Sequence, residues 1–337
     1  MTDPAERGDT APLAVREAAW YLPEPVVPVD GLAAWDETEL STRGSLGIDT
    51  VRADDRVSAV DLCEHAARRV LDRSGVDARE LGALIMVESR APETLLSSEA
   101  TRLQHLLGAG AATTLTVGGL GCVSISAALI TARGLLAGDS ALDNVLVVHG
   151  SKPAAAVRYR HPVTVNGDGG QALLLSRRGP VRILDIAQRT NGQYWDLFKV
   201  KYRDRPTAQW REECGDPATY SFRLAMETRG ALSAMLREVL ERNGLRPADI
   251  RGYLSHNLSA GSFTFTEESL GIDILPVCRE NLRRYGHLGS NDVFLNLYTS
   301  LERKELATGD RVVLINASPV AAWSLLLVEI GPQEGVA

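Results

Sequence analysis

The chain has 337 residues, 45% hydrophobic and 23% charged, with a formal net charge of -7. That length exceeds one small core and predicts a layered globular protein of about two domains or two halves. The acidic balance, without clustered Lys and Arg, argues against a nucleic-acid partner. The polar start "MTDPAERGDTAP" predicts neither signal peptide nor membrane helix, so a cytoplasmic address is the default.

Along the chain, helical patterns alternate with short β-branched runs. "SAVDLCEHAARRVLDRSGV" has apolar residues at helical spacing, followed by strand-like "ALIMVE" and "TTLTV". The apolar helix "VSISAALITARGLLAG" leads to the strands "NVLVVHG", "QALLLS" and "VRILDIA". After a polar, aromatic-rich excursion from Asn191 to Tyr220 come "ETRGALSAMLREVLERNGL", "GYLSHN", "NDVFLNLYTSLERKEL", "RVVLINA" and "WSLLLVEI". The strands are apolar on both faces, which predicts burial between helices. "GVDAREL" and "GLRPADI" repeat one helix, turn, strand phrase, one in each half, which predicts an internal duplication: an N-terminal half, 1–180, and a C-terminal half, 181–337. The four cysteines are scattered at 63, 122, 214 and 278 with no CxxC pair, so free thiols are expected, with no metal or bound cofactor.

Cys122 follows "VGGLG" at a strand-to-helix junction, where backbone N–H groups and the helix dipole stabilise an anion. Two readings stand there: a nucleophile, or a small core residue after a turn. A thiolate nucleophile needs a proton relay, and "GYLSHNLSAG" places His256 just after an apolar strand. "RRYGHLGSND" adds His287, Asn291 and Asp292 at or near a helix N-terminus, where Asp292 suits a capping role as well as a catalytic one. "NGDGGQALLL" lacks Gly-Lys-Ser/Thr, so it reads as a structural turn around Asp168 and not a nucleotide site.

Taken in order, "YLPEPVV", "GVDARELGALIMVESRAPET", "GLGCVSISAALITARGLLAG", "NVLVVHGSKP", "NGDGGQALLLS", "GYLSHNLSAG", "YGHLGSNDVFLNL" and "DRVVLINASPVAAWSLLLVEI" resemble the ketoacyl-acyl-carrier-protein synthase III family of the thiolase fold. The resemblance covers nearly the whole chain. It implies an α/β fold of five layers, α-β-α-β-α, built from two duplicated halves and assembled as a homodimer. It also implies an acyl thioester on Cys122, with His256 as the catalytic histidine, and an acyl carrier protein or coenzyme A thioester as donor. Arg283 and Arg284 suit either a carrier docking patch or a solvated helix end.

Three departures refine that expectation. The family's condensing enzymes carry Asn in Gly-Asn-x-Ser, whereas "GHLGSND" puts His287 there, so a donor to the enolate of decarboxylation is missing. A Cys, His, Asp set instead suits acyl transfer to a hydroxyl or amine, as in the branch of the family that acylates sugars or cyclitols in antibiotic pathways. The expected arrangement is His256 as general base oriented by Asp292, with His287 as an alternative third member or second donor. The oxyanion loop reads "NASPVAAW", and because Pro319 has no N–H, Ser318 or Val320 must donate. Trp35 and Arg43 are offset from the family's nucleotide clamp and are not assigned to it. Trp195, Phe198 and Trp210 of the excursion are expected at the acceptor. A decarboxylative condensing enzyme is the alternative, followed by a non-catalytic partner subunit.

Overall fold

A computed structural model describes residues 11–32, 42–88, 91–154 and 157–332, so Trp35 lies outside the described residues. The first half runs β1 (Ala14–Tyr21), β2 (Val26–Pro28), β3 (Thr50–Arg52), α1 (Ala59–Ser74), β4 (Ala83–Val87), α2 (Glu99–Leu107), β5 (Thr113–Val117), α3 (Ser124–Gly138), β6 (Val145–Ser151), β7 (Tyr159–Arg160), β8 (Thr164–Val165) and β9 (Gly169–Ser176). There follow β10 (Val181–Thr190), β11 (Phe198–Lys199), β12 (Glu213–Cys214), α4 (Ala225–Arg242), β13 (Gly252–Ser255), α5 (Ala260–Leu270), α6 (Pro276–Tyr285), α7 (Asp292–Glu302), β14 (Arg311–Ser318) and β15 (Ala322–Ile330).

Local chemistry sets several of these boundaries. Ser58 and Asp61 form a reciprocal capping box at the start of α1, and Gly75, in the left-handed region, ends it. The main sheet has the order β13-β14-β15-β10-β1-β9-β6-β4-β5. It is pinched in the middle, because β1 pairs with β10 only through Ala14 and Val15 but with β9 along its length. Two leaves result, β1-β9-β6-β4-β5 and β10-β15-β14-β13. In each, two antiparallel pairings are followed by a parallel one, β4 with β6 and β13 with β14.

Alternation along the strands then builds the layers. In β4, Ala83, Ile85 and Val87 join a central core with Ile125, Leu129 and Ala132 of α3 and Val293, Phe294 and Leu297 of α7. Leu84 and Met86, pointing the other way, join Val60, Ala67 and Leu103 of α1 and α2. On the second leaf, Leu254, Leu314 and Leu326 face the same central core, while Val313, Ile315 and Leu325 pack on Leu232, Met235 and Val239 of α4. Helix, sheet, helix, sheet, helix is the expected five-layer α/β order, with α3 and α7 in the middle layer.

The run Gly121–Gly138 is long and apolar enough to cross a membrane by composition alone, yet half of it is buried inside this fold. It is not enclosed on all sides, since Ile130 is 45% exposed. None of the four cysteines forms a disulfide.

Candidate active site

The middle layer brings two helix N-termini together, and the candidate site is built there. After β5 the chain turns through Gly119 and Gly121, both at positive φ, into a short 3-10 turn, Gly121–Val123, that continues as α3. Gly121 suits this position because its φ of 55° is one that L side chains rarely adopt, and a Cβ here would also press on Ser318 Oγ. Cys122 is 5% exposed at this junction. Its carbonyl accepts from Asn316 Nδ2 at 3.1 Å and from Ser290 Oγ at 3.3 Å, so side chains of the second half fix the backbone of the thiol.

Cys122 Sγ lies 3.1 Å from His287 Nε2, and His287 Nδ1 lies 2.6 Å from Asp292 Oδ2. His287 and Asp292 are fully buried. The carboxylate also accepts from Leu288 N through Oδ1 and from Asn257 N through Oδ2, both at 2.8 Å. An ionised carboxylate only accepts, so the proton of a neutral His287 ring sits on Nδ1 and the Nε2 lone pair faces the sulfur.

The chain holds this ring in place from both sides. His287 N donates to Val165 O at 2.9 Å and Gly167 N donates to His287 O at 3.1 Å, which pins the segment to the β7–β8 hairpin. That hairpin is itself anchored by Asp168, which accepts from Arg158 Nη1 at 2.7 Å, Arg158 Nη2 at 3.1 Å and Asp54 N at 2.9 Å. The "NGDGG" turn is therefore a structural clamp. Gly286 precedes His287 at φ 62°, and a Cβ there would stand 2.6 Å from Val165 O.

His256 emerges from the end of β13 as expected, 4% exposed, but the Asp292 carboxylate does not reach it. Its Nδ1 is 3.4 Å from Ser255 Oγ, and its buried Nε2 has no partner among the described residues. The expectation that Asp292 orients His256 is corrected: the carboxylate turns to His287, the nearer ring across a single 3-10 turn, Gly289–Asn291. Burial, followed by the neighbouring His287, pushes His256 down to about 4, so it is neutral at physiological pH.

Cys122 opens onto a cavity of about 300 Å³ whose wall includes Ser318, Val320, His149, Arg160, Phe198 and Glu212. Among the described residues Ser318 Oγ is buried without a partner, and the Ser318 carbonyl accepts from Ala321 N at 2.9 Å to close the loop around Pro319. Of the three excursion aromatics, Phe198 lines the cavity; Trp195 is 75% exposed, and Trp210 Nε1 donates to Arg205 O at 2.9 Å. Arg43 is buried and donates to Leu32 O at 3.0 Å, while Arg283 is exposed, 3.6 Å from Asp49. Among the described residues no group of three His, Cys, Asp or Glu side chains has the geometry to hold a metal.

Sequence reasoning missed the polar supports. Asn296 Nδ2 donates to Ser255 O and Asn257 Oδ1, both at 2.8 Å, and so fixes the turn whose Asn257 N reaches Asp292. Asn296 and Asn316 are polar residues set in the apolar runs "VFLNLY" and "VVLINA", the one signal that could have singled them out, and both are buried.

Comparison with known proteins bears on the fold that positions these residues. Residues 240–330 match the family described as 3-oxoacyl-[acyl-carrier-protein] synthase III C terminal. The chain is 25% identical over 331 residues to a β-ketoacyl-[acyl-carrier-protein] synthase III of Chlorobium luteolum, covering 94% of this chain and 98% of that one. Among solved structures, ChlB3, described as an acyltransferase, superposes with a TM-score of 0.78 at 21% identity, covering 95% of this chain and 98% of the other. The 3-oxoacyl-(acyl carrier protein) synthase III of Pseudomonas aeruginosa gives 0.78 at 20% identity, covering 96% and 100%. The fold is thiolase-like.

Proposed function

We propose that the chain is an acyltransferase of the ketoacyl-acyl-carrier-protein synthase III family, which its residues 240–330 match, using Cys122 as nucleophile and His287, oriented by Asp292, as its base. The observation that carries this reading is the continuous Cys122–His287–Asp292 contact at 3.1 Å and 2.6 Å. Asn, which the family's condensing enzymes have at this position, can donate a hydrogen bond to an enolate but cannot serve as a base. A histidine backed by a carboxylate can take a proton and return it.

The steps balance on these groups. The Cys122 thiol proton passes to His287 Nε2, and the thiolate attacks the carbonyl of an acyl carrier protein or coenzyme A thioester. The donor sulfur leaves with that proton, and the acyl group remains on Cys122. An acceptor hydroxyl or amine then loses its proton to Nε2 and attacks the new thioester; the ester or amide departs and the thiol is re-protonated. The tetrahedral oxyanion would sit at the N-terminus of α3, facing the Cys122 N–H and the Ser318–Val320 loop. The acceptor class is a sugar- or cyclitol-like specialised metabolite, as in the antibiotic branch that the sequence resembles.

A second reading, decarboxylative condensation, draws on one observation: His256 is neutral and its Nε2 is unpartnered, as a donor to an enolate would need to be. Carbon dioxide release from a malonyl thioester distinguishes the two. Assembly as a homodimer is supported by the outer edge of β5, which among the described residues is unpaired at the end of the sheet, and by the exposed Ile130 on α3. Intact mass of the protein after incubation with acyl thioesters, with Cys122→Ala as control, tests the reading. Absence of a Cys122 adduct with every donor would sink it.

A further inference from the structure

The acylation chemistry leaves one buried charge pair in the cavity wall unused. Arg160, on β7, is 6% exposed, and its Nε donates to the Glu212 carboxylate of the excursion. Among the described residues this is the only hydrogen bond of the guanidinium, so Nη1 and Nη2 have no protein partner. Both side chains line the same cavity as Cys122. Beside the pair stands Phe198, held edge-on by Tyr220 with ring centroids 5.2 Å apart.

We propose that Arg160 and Glu212 form the acceptor subsite and select a neutral, oxygen-rich molecule, a polyol or glycoside, through its hydroxyl and ether oxygens. This rests on the reading of Cys122 as the acyl-bearing residue. The chemistry decides between three acceptor classes. A carboxylate on the acceptor would bring a second anion to a guanidinium that Glu212 already neutralises in a buried place. An aliphatic alcohol would cover Nη1 and Nη2 and leave their donors unsatisfied, which costs affinity. A polyol meets both halves of the pair, accepting from the guanidinium and donating to the carboxylate, while Phe198 covers the C–H face of a ring. The pair also explains the excursion, which carries Glu212 and Phe198 to one wall of the cavity.

The test separates the two half-reactions. Cys122 is first loaded from a short-chain N-acetylcysteamine thioester and followed by intact mass. The thioester is then challenged with methyl glucoside, myo-inositol, glucuronate or hexanol. Methyl glucoside or myo-inositol is expected to discharge the wild-type thioester faster than glucuronate or hexanol. The double variant Arg160→Met/Glu212→Met, which leaves no unpaired charge buried, is expected to form the thioester within about twofold of wild type and to lose polyol-dependent discharge by about tenfold or more. Glu212→Gln, which keeps the shape of the wall, covers the case in which the double variant does not fold, and is expected to lose discharge in the same sense. The proposal is overturned if thioester formation falls while discharge is unchanged, which would put the pair on the donor side, or if glucuronate or hexanol is preferred. Saturation-transfer NMR with methyl glucoside and myo-inositol on Cys122→Ala, with and without the pair, removes dependence on catalysis. Polyol binding that needs the pair, in a protein whose wild type never forms a thioester, would refute the acyl-enzyme reading and leave the subsite standing. No polyol contact at millimolar concentration would refute the subsite.

Discussion

Replacing Asp292 by Asn changes one oxygen into an amide nitrogen and keeps the shape, so it isolates the electrostatic role of the carboxylate. Oδ1 now accepts from Leu288 N, and Oδ2 accepts from His287 Nδ1 at 2.6 Å and from Asn257 N at 2.8 Å. An amide has a single acceptor oxygen for these three donors. With its NH2 towards His287, the ring must move its proton to Nε2, which then points at the Cys122 sulfur and can no longer take the thiol proton. With its NH2 towards Leu288 N, two donors face each other at the start of α7. The corresponding change in a serine protease triad lowers kcat about ten-thousandfold. A loss of about 10³ to 10⁴ in single-turnover acylation of Cys122 is therefore expected, equivalent to about 4 to 5.5 kcal/mol. The assay is intact mass against time with a short-chain N-acetylcysteamine thioester, with circular dichroism confirming the fold. An Asp292→Asn protein that acylates within about tenfold of wild type would refute the reasoning about the tautomer.

Three further outcomes follow from the same geometry. His256 is depressed from 6.5 to about 4, so the folded state binds fewer protons than the unfolded one between those values; its contribution is complete above about pH 6.5 and is lost as pH falls. Between about pH 7 and pH 5, wild type should lose about 2 kcal/mol more than His256→Gln by urea denaturation, and equal losses would contradict its burial as a neutral ring. Gly286→Ala would press a Cβ against Val165 O at 2.6 Å in a left-handed backbone, so a stability loss of about 2 to 4 kcal/mol is expected together with slowed acylation; an unchanged urea midpoint would contradict the clamp on His287. The proposed homodimer predicts that wild type sediments as a dimer and Ile130→Glu as a monomer in analytical ultracentrifugation, and a monomeric wild type would contradict it.

The layered fold was largely legible in the sequence, because strands buried on both faces must be apolar throughout. β4 reads "ALIMV" since Ile85 meets the central helices and Met86 meets the outer ones. Cys122 was legible for the same local reason: a glycine-rich turn before an apolar helix puts one side chain at a helix N-terminus. The partner of Asp292 was not. Residues five apart diverge on a regular helix, and His287 and Asp292 face each other only because Gly289, at φ 64°, folds the intervening turn back. That turn is a backbone event, and the pattern of apolar residues carries no trace of it. The Arg160–Glu212 pair was illegible for a different reason, since it joins residues 52 apart that meet only when the excursion folds back over the β7–β8 hairpin.

The central claim is that His287, and not His256, serves the sulfur of Cys122. It is tested most directly by loading rates of Cys122 measured by intact mass for wild type, His287→Ala and His256→Ala, each under identical thioester. The account predicts a Cys122 adduct on wild type, a loss of about 10³-fold or more for His287→Ala, and a loss of no more than about 10²-fold for His256→Ala, the size expected for one donor to the carbonyl. Loading of His287→Ala at the wild-type rate, with His256→Ala inactive, would contradict it.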